Sequence, residues 1–139
     1  MTTLDNLLEW YTTLTPLSVA DITRFYNTNA HFKDPFNDVF GVENIAAIFT
    51  HMFETTENPR FVVVDRIEQN RQCFVTWVFI FRLRGKEYSI NGGTHFVFDE
   101  NGMVNIHRDY WDTAEELFQK LPIIGSLMRW LQIRFSVKF

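Results

Sequence analysis

The stretch Met103-Val-Asn-Ile-His-Arg-Asp-Tyr-Trp-Asp112 carries the most information in this chain. It follows a turn signal, Asp99-Glu-Asn-Gly102, and then alternates in polarity. Residues two apart on a strand share a face. Asn105, His107, Asp109 and Trp111 are therefore expected on one side, and Val104, Ile106, Arg108 and Tyr110 on the other. One face gathers an imidazole, a carboxylate and an indole, the parts of a polar site with an aromatic wall. Roughly 6–7 Å separates the attachment points of His107 and Asp109 on such a strand. They can contact each other as an acid–base pair, or form a buried polar pair of purely structural use.

Working back from that strand, three further strand-like runs appear: Phe61–Ile67, Cys73–Leu83 and Glu87–Phe98. Short joints at Gln69-Asn70-Arg71 and Arg84-Gly85-Lys86 link them, as in antiparallel hairpins. Gly92-Gly93 interrupts the last of the three, where a bulge or sharp bend is expected. Leu4, Leu7, Leu8, Tyr11 and Leu14 recur at helical spacing before Thr15-Pro16. Ser18 is expected to cap a second helix that turns Ile22, Phe25 and Tyr26 inward. Ala30–Asp34 reads as a short strand ending at Asp34-Pro35. Gly41 then opens a third helix with Ile45, Ile48, Phe49, Met52 and Phe53 as its stripe, ended by Asn58-Pro59. Helices grouped ahead of a meander predict an α+β fold, with helices on one face of a curved sheet. Thr113-Ala-Glu-Glu116 is a capping box for a short helix to Lys120. After Pro122 an apolar helical tail follows, with Arg129, Arg134 and Lys138 supplying positive charge.

At 139 residues the chain is read as a single domain, 1–139, with a core over about 4–121 and a tail over 122–139. A net charge of −4 and the lack of a basic run argue against nucleic acid as a partner. One cysteine, Cys73, excludes an internal disulfide and fits a reducing, cytoplasmic setting. The N-terminus has no positive region and no apolar signal core. The 15 Phe and 4 Trp supply burial and also suit cavity walls.

The layout has Asp34-Pro35 on an early strand, a Gly-opened helix, and Thr94-His-Phe-Val-Phe98 followed by His107-Arg-Asp-Tyr-Trp111. It resembles the nuclear transport factor 2-like superfamily, and within it the SnoaL-like branch related to ketosteroid isomerase. The resemblance covers about Leu4 to Leu121. It implies a cone, a cystatin-like α+β barrel in which a strongly curved, mostly antiparallel sheet wraps the N-terminal helices around a largely apolar cavity. It also implies a homodimer. The superfamily contains isomerases, cyclases, dehydratases, epoxide hydrolases and non-enzymatic binders, so fold alone does not select an activity.

Residue by residue, the isomerase branch places a general-base aspartate in an Asp-Pro step, matched by Asp34-Pro35. Its first-helix tyrosine falls at Trp10, with Tyr11 adjacent. Thr94 stands where that branch has a protonated aspartate, so its oxyanion hole is not copied. The polyketide cyclase branch works with a His and an Asp, and His107 and Asp109 lie on the corresponding strand. The expected working groups are thus Asp34, His107 and Asp109, with Trp10, Tyr11, Thr94, Phe96 and Trp111 shaping the pocket.

For Asp34 two readings stand: a carboxyl whose pKa rises beside apolar surface and shuttles a proton, or one that hydrogen-bonds the turn it precedes. No metal is expected, because His31, His95, His107, Asp34 and Asp109 show no tight ligand spacing and point apart. No cofactor is expected either, since neither dinucleotide nor phosphate-loop glycines occur. The leading expectation is a cofactor-independent acid–base enzyme of isomerase, cyclase, dehydratase or hydrolase type, acting on an apolar small molecule. Its rivals are a non-catalytic carrier or sensor of a lipid-like or terpenoid ligand, and a homodimeric interaction module. The tail is read as a helix packed on the domain or a twin subunit, or as an interfacial helix that makes peripheral contact with a membrane or closes the cavity mouth over a lipid-like ligand.

Overall fold

The computed structural model of the protein describes residues 2–112 and residue 137. Its elements run α1 (Thr3–Thr12), a 3-10 helix (Ser18–Arg24), β1 (Tyr26–Lys33), β2 (Asp38–Phe40), α2 (Val42–Thr55), β3 (Glu57–Gln69), β4 (Gln72–Leu83), β5 (Lys86–Phe98) and β6 (Val104–Trp111). The strands form one six-stranded sheet in the order β2-β1-β6-β5-β4-β3. All pairings are antiparallel except β1 with β6. The sheet is curved and does not close, and the helices sit in its concave side: the cone fold.

α1 begins with a complete capping box, in which the Thr2 hydroxyl accepts from Asp5 N–H at 3.1 Å and the Asp5 carboxylate accepts from Thr2 N–H at 2.9 Å. Its apolar stripe, Leu4, Leu7, Leu8, Trp10 and Tyr11, is buried. α2 starts after Gly41 and buries Val42, Ile45, Ile48 and Phe49. α1 packs against β3 and α2 against β1 and β3, and both stripes share one core with the inner face of β4, where Cys73, Val75, Trp77, Phe79, Phe81 and Leu83 alternate with more exposed residues. At about 1.5–3 kcal/mol per large apolar side chain, this shared core is the main stabilising force.

The hairpins are tight. Leu83 pairs with Lys86 across Arg84-Gly85, and both linking residues have positive φ, 51° and 78°. That is the two-residue turn whose twist matches the strands, and glycine adopts it without strain.

Several local expectations are corrected. Ser18 is the first residue of the 3-10 helix rather than its cap; its hydroxyl accepts from Thr15 N–H at 2.8 Å. β3 starts at Glu57, so Asn58-Pro59 lies inside a strand instead of ending a helix; Thr55 ends α2. β2, at the sheet edge, was not anticipated because three residues carry too short a pattern. Gly92-Gly93 produces no register shift in either pairing. These glycines answer close approach instead: a Cβ on Gly92 would lie 2.5 Å from the Trp77 ring and 2.6 Å from the Tyr110 carbonyl.

The face assignment in β6 also changes at one point. Phe98 pairs with Val104 and Val97 with Ile106, leaving Asn105 as a bulged extra residue. The bulge resets the alternation, so Val104 is buried with His107 while Asn105 is exposed. From Ile106 onward the expected alternation holds. The Thr113–Glu116 capping box and the tail helix fall outside the described residues. No described helix is long and apolar enough to cross a membrane.

Candidate functional site

Asp34 stands where β1 gives way to the turn that leads into β2. The Asp-Pro step stops the strand, and the carboxylate folds back over the turn. Its Oδ1 accepts from Phe36 N–H at 2.8 Å and Asn37 N–H at 2.6 Å, and the Asn37 side-chain amide lies 3.2 Å from both oxygens. The Asn37 amide oxygen in turn accepts from Val137 N–H at 2.8 Å, tying the turn to the C-terminal end of the chain. These bonds favour the carboxylate, yet burial and then the nearby Asp109 charge outweigh them and push Asp34 up to about 6. A raised pKa and a hydrogen-bonded turn thus occur together in Asp34.

Across from it, β6 presents His107 and Asp109 on the inner face. His107 is fully buried, and its Nε2 lies 2.8 Å from Asp109 Oδ1. The same oxygen accepts from the Thr94 hydroxyl at 2.5 Å, and Thr94 accepts from the Trp77 indole N–H at 2.8 Å. On the other side of the imidazole, the Tyr26 hydroxyl lies 2.6 Å from Nδ1.

The proton directions follow from the donors available. An indole N–H only donates, so Thr94 spends its own proton on Asp109. Burial, followed by the Asp109 charge, raises the Tyr26 phenol well above its ordinary value, so it stays a donor. Nδ1 accepts from it, and Nε2 carries the proton that bonds Asp109. The chain Tyr26–His107–Asp109–Thr94–Trp77 thus has every proton assigned.

Aromatic rings wrap this chain. Phe32 lies 4.5 Å and Phe96 4.9 Å from the His107 ring, centroid to centroid. Tyr11, on α1, stacks on Phe61 at 4.5 Å and meets His107 edge-on at 6.1 Å. Its hydroxyl is buried near the Thr94 hydroxyl, without a hydrogen bond of good geometry among the described residues. Burial and then the Asp109 charge hold it protonated, its pKa well above the usual phenol value. Trp10 points elsewhere: its indole donates to the Ser18 carbonyl at 2.8 Å and its ring stacks on Phe25 at 5.2 Å.

A cavity of about 40 Å³ lies between α2 and the sheet. Its carboxylates are Asp34 and Asp109, its rings Phe32, Phe49, Phe61, Phe79 and Trp111, and α2 closes it with Ile48, His51 and Met52. Of the residues expected at the site, Asp34, Asp109 and Trp111 line this cavity. His107 and Thr94 stand behind Asp109 as its hydrogen-bond partners, Phe96 packs against His107, and Trp10 lies outside the lining, edge-on to Phe49 at 6.0 Å and to Tyr26 at 6.1 Å.

Sequence reasoning missed three participants. Tyr26 looked like one more apolar-face residue, and Trp77 like core. His51 was overlooked because it sits in a helix otherwise read for its apolar stripe, though its place one turn after Ile48 was visible. Among the described residues, no group of three or more His, Cys, Asp or Glu side chains is arranged to hold a metal ion.

With this geometry in hand, comparison with known proteins is informative. The family model described as SnoaL-like domain matches residues 7–107. No curated protein matches the chain in sequence. Among solved structures, an NTF2-like protein of unknown function from Burkholderia pseudomallei superposes with a TM-score of 0.71 at 16% identity, covering 83% of this chain and 95% of that one. A candidate SnoaL-like polyketide cyclase from Jannaschia gives 0.69 at 13% identity, covering 81% and 87%. A protein of ketosteroid isomerase-like fold from Catenulispora acidiphila, described in complex with trimethylamine, gives 0.70 at 14%, covering 86% and 93%. At these identities the structural likenesses establish the fold.

Proposed function

This chain belongs to the SnoaL-like domain family, and on that premise we propose that it binds a small molecule in the cone and carries out cofactor-independent proton transfer on it. Asp34 is the group that takes and returns the proton. The single observation that carries this reading is a carboxyl raised to about 6 that lines an aromatic cavity together with a second carboxylate. A base of that pKa exchanges protons near neutral pH, which an exposed aspartate does poorly.

Asp109, held by His107 and Thr94, keeps a negative charge near Asp34 and so sustains its basicity. This assembly suits isomerisation, cyclisation, dehydration or hydrolysis of an enolisable or hydratable substrate.

The test is a carboxyl-carbon NMR titration of Asp34. In the wild type it is expected to titrate near 6, and in Asp109→Asn to move down toward the ordinary carboxylate range. A value near 4 in the wild type would remove the basis for proton transfer. For any substrate found, Asp34→Asn is expected to lower turnover by about 10²–10⁴-fold.

A second reading, a carrier or sensor without turnover, is favoured by the tie between Asp34 and its own turn, and by a cavity of about 40 Å³ against the several hundred usual for small-molecule sites. Ligand binding that survives Asp34→Asn with no turnover in the wild type would select it. We also include a homodimer formed through the outer sheet face, where Val62, Val64, Ile67, Phe74 and Tyr110 are exposed. Light scattering that finds a monomer at high concentration would remove that part.

A further inference from the structure

We propose that the Asp34–Asp109 cavity is built for a small organic cation, a methylated ammonium group of three or four heavy atoms, either as the whole ligand or as the reacting end of a larger one. The inference rests on the cavity being the working site, as proposed above, and names the chemistry it accepts.

The first argument is charge. Among the described residues, two carboxylates and the imidazole of His51 are the titratable groups of the lining, and no lysine or arginine joins them. Asp109 has both of its hydrogen bonds on Oδ1, from His107 and Thr94, and Oδ2 has no protein donor among the described residues. A pair of acids that desolvation already disfavours is relieved by a cation lying between them. A neutral or anionic ligand would leave the repulsion in place.

The second argument is the wall. Phe32, Phe49, Phe61, Phe79 and Trp111 supply five ring systems around the two acids. Aromatic faces attract cations through the ring quadrupole, and most strongly when the site is dry. With carboxylates and rings in one lining, methyl groups can meet rings while the N–H meets a carboxylate. An apolar ligand gains the rings but wastes the acids, and a metal ion gains the acids but wastes the rings.

The third argument is size. A water-sized atom needs about 10–15 Å³ of such space, so 40 Å³ holds about three or four. Dimethylammonium and trimethylammonium match that room, whereas a fused-ring substrate does not enter unless α2 moves.

The test compares probes on the intact wild-type chain at neutral pH, following the Trp111 indole and Asp34 carboxyl NMR signals during titration. Trimethylammonium chloride is the cation, 2-propanol the neutral probe of equal heavy-atom count, and sodium chloride the control for ionic strength. The cation is expected to bind at least about tenfold more tightly than 2-propanol, and to do so with saturation. Asp34→Asn is expected to remove about tenfold or more of that preference while leaving 2-propanol unaffected. If 2-propanol binds as well as the cation, the inference fails while the cavity remains a small-molecule site. If neither probe moves the Trp111 signal, the inference fails together with the reading of the cavity on which it rests.

Discussion

Neighbouring residues on β5 and β6 meet opposite fates. Thr94, His107 and Asp109 face the concave side, where Thr94 and His107 both hydrogen-bond Asp109 and have no exposed surface. One residue along in each strand, His95, Arg108 and Tyr110 face outward. There His95 meets Gln72 at 2.9 Å in an exposed contact, and Arg108 lies over the Tyr110 ring at 5.1 Å. The residue types are alike on both faces. The difference is water: in the dry interior an unmatched donor or acceptor is costly, so the network holds one arrangement, whereas outside solvent can substitute for a partner. Two carboxylates in the β1–β2 turn repeat the lesson. Burial raises Asp34 to about 6, while the exposed Asp38, hydrogen-bonded by His31, is lowered.

The contrast breaks most visibly at Trp77. Its ring is 1% exposed, presses on Gly92 and meets Phe61 edge-on at 5.1 Å, and its indole N–H anchors Thr94. Trp77→Ala is expected to cost about 3–5 kcal/mol in urea unfolding. A loss below about 1 kcal/mol would mean that the inner face is not the rigid partner described.

Asp34 gives the next largest effect, read through pH. Its folded value of about 6 lies above the ordinary 3.8, so the folded chain holds its proton more tightly than the unfolded chain does. The favourable contribution is complete below pH 3.8 and is lost as pH rises to about 6. For a shift of this size the change is at most about 3 kcal/mol. Unfolding free energies measured across that window should fall for the wild type and stay flatter in Asp34→Asn. Parallel curves would show that the cavity does not perturb this carboxyl.

The smallest effect is expected outside. Tyr110 is 47% exposed, and Tyr110→Ser should alter the stability of the isolated chain by no more than about 0.5 kcal/mol. A larger, concentration-dependent loss would sharpen the comparison in another way, by showing that this face is covered in solution.

Much of this was legible in the sequence because it depends on period. Alternation in Val104–Trp111 placed His107 and Asp109 inside, and helical spacing of Leu4, Leu7, Leu8 and Tyr11 gave the face of α1 that meets the sheet. Asn105 was misplaced because a bulge adds one residue without a polarity signal. Tyr26 could not be paired with His107 from sequence, since 81 residues separate them and the contact forms only when β1 lies parallel to β6. The 3-10 helix and β2 were too short for a pattern to distinguish them from a helix and a loop.

What the sequence determined by itself was the set of local shapes and the two faces of each strand, because side-chain periodicity and turn chemistry act over a few residues. The tertiary structure alone decided that Asp34 and Asp109 share one cavity and that Thr94 and His107 spend their protons on Asp109. It also decided that the Tyr11 hydroxyl is buried beside Thr94. Those outcomes depend on burial and on distances between groups far apart in the chain, and both exist only once the sheet has curved around its helices.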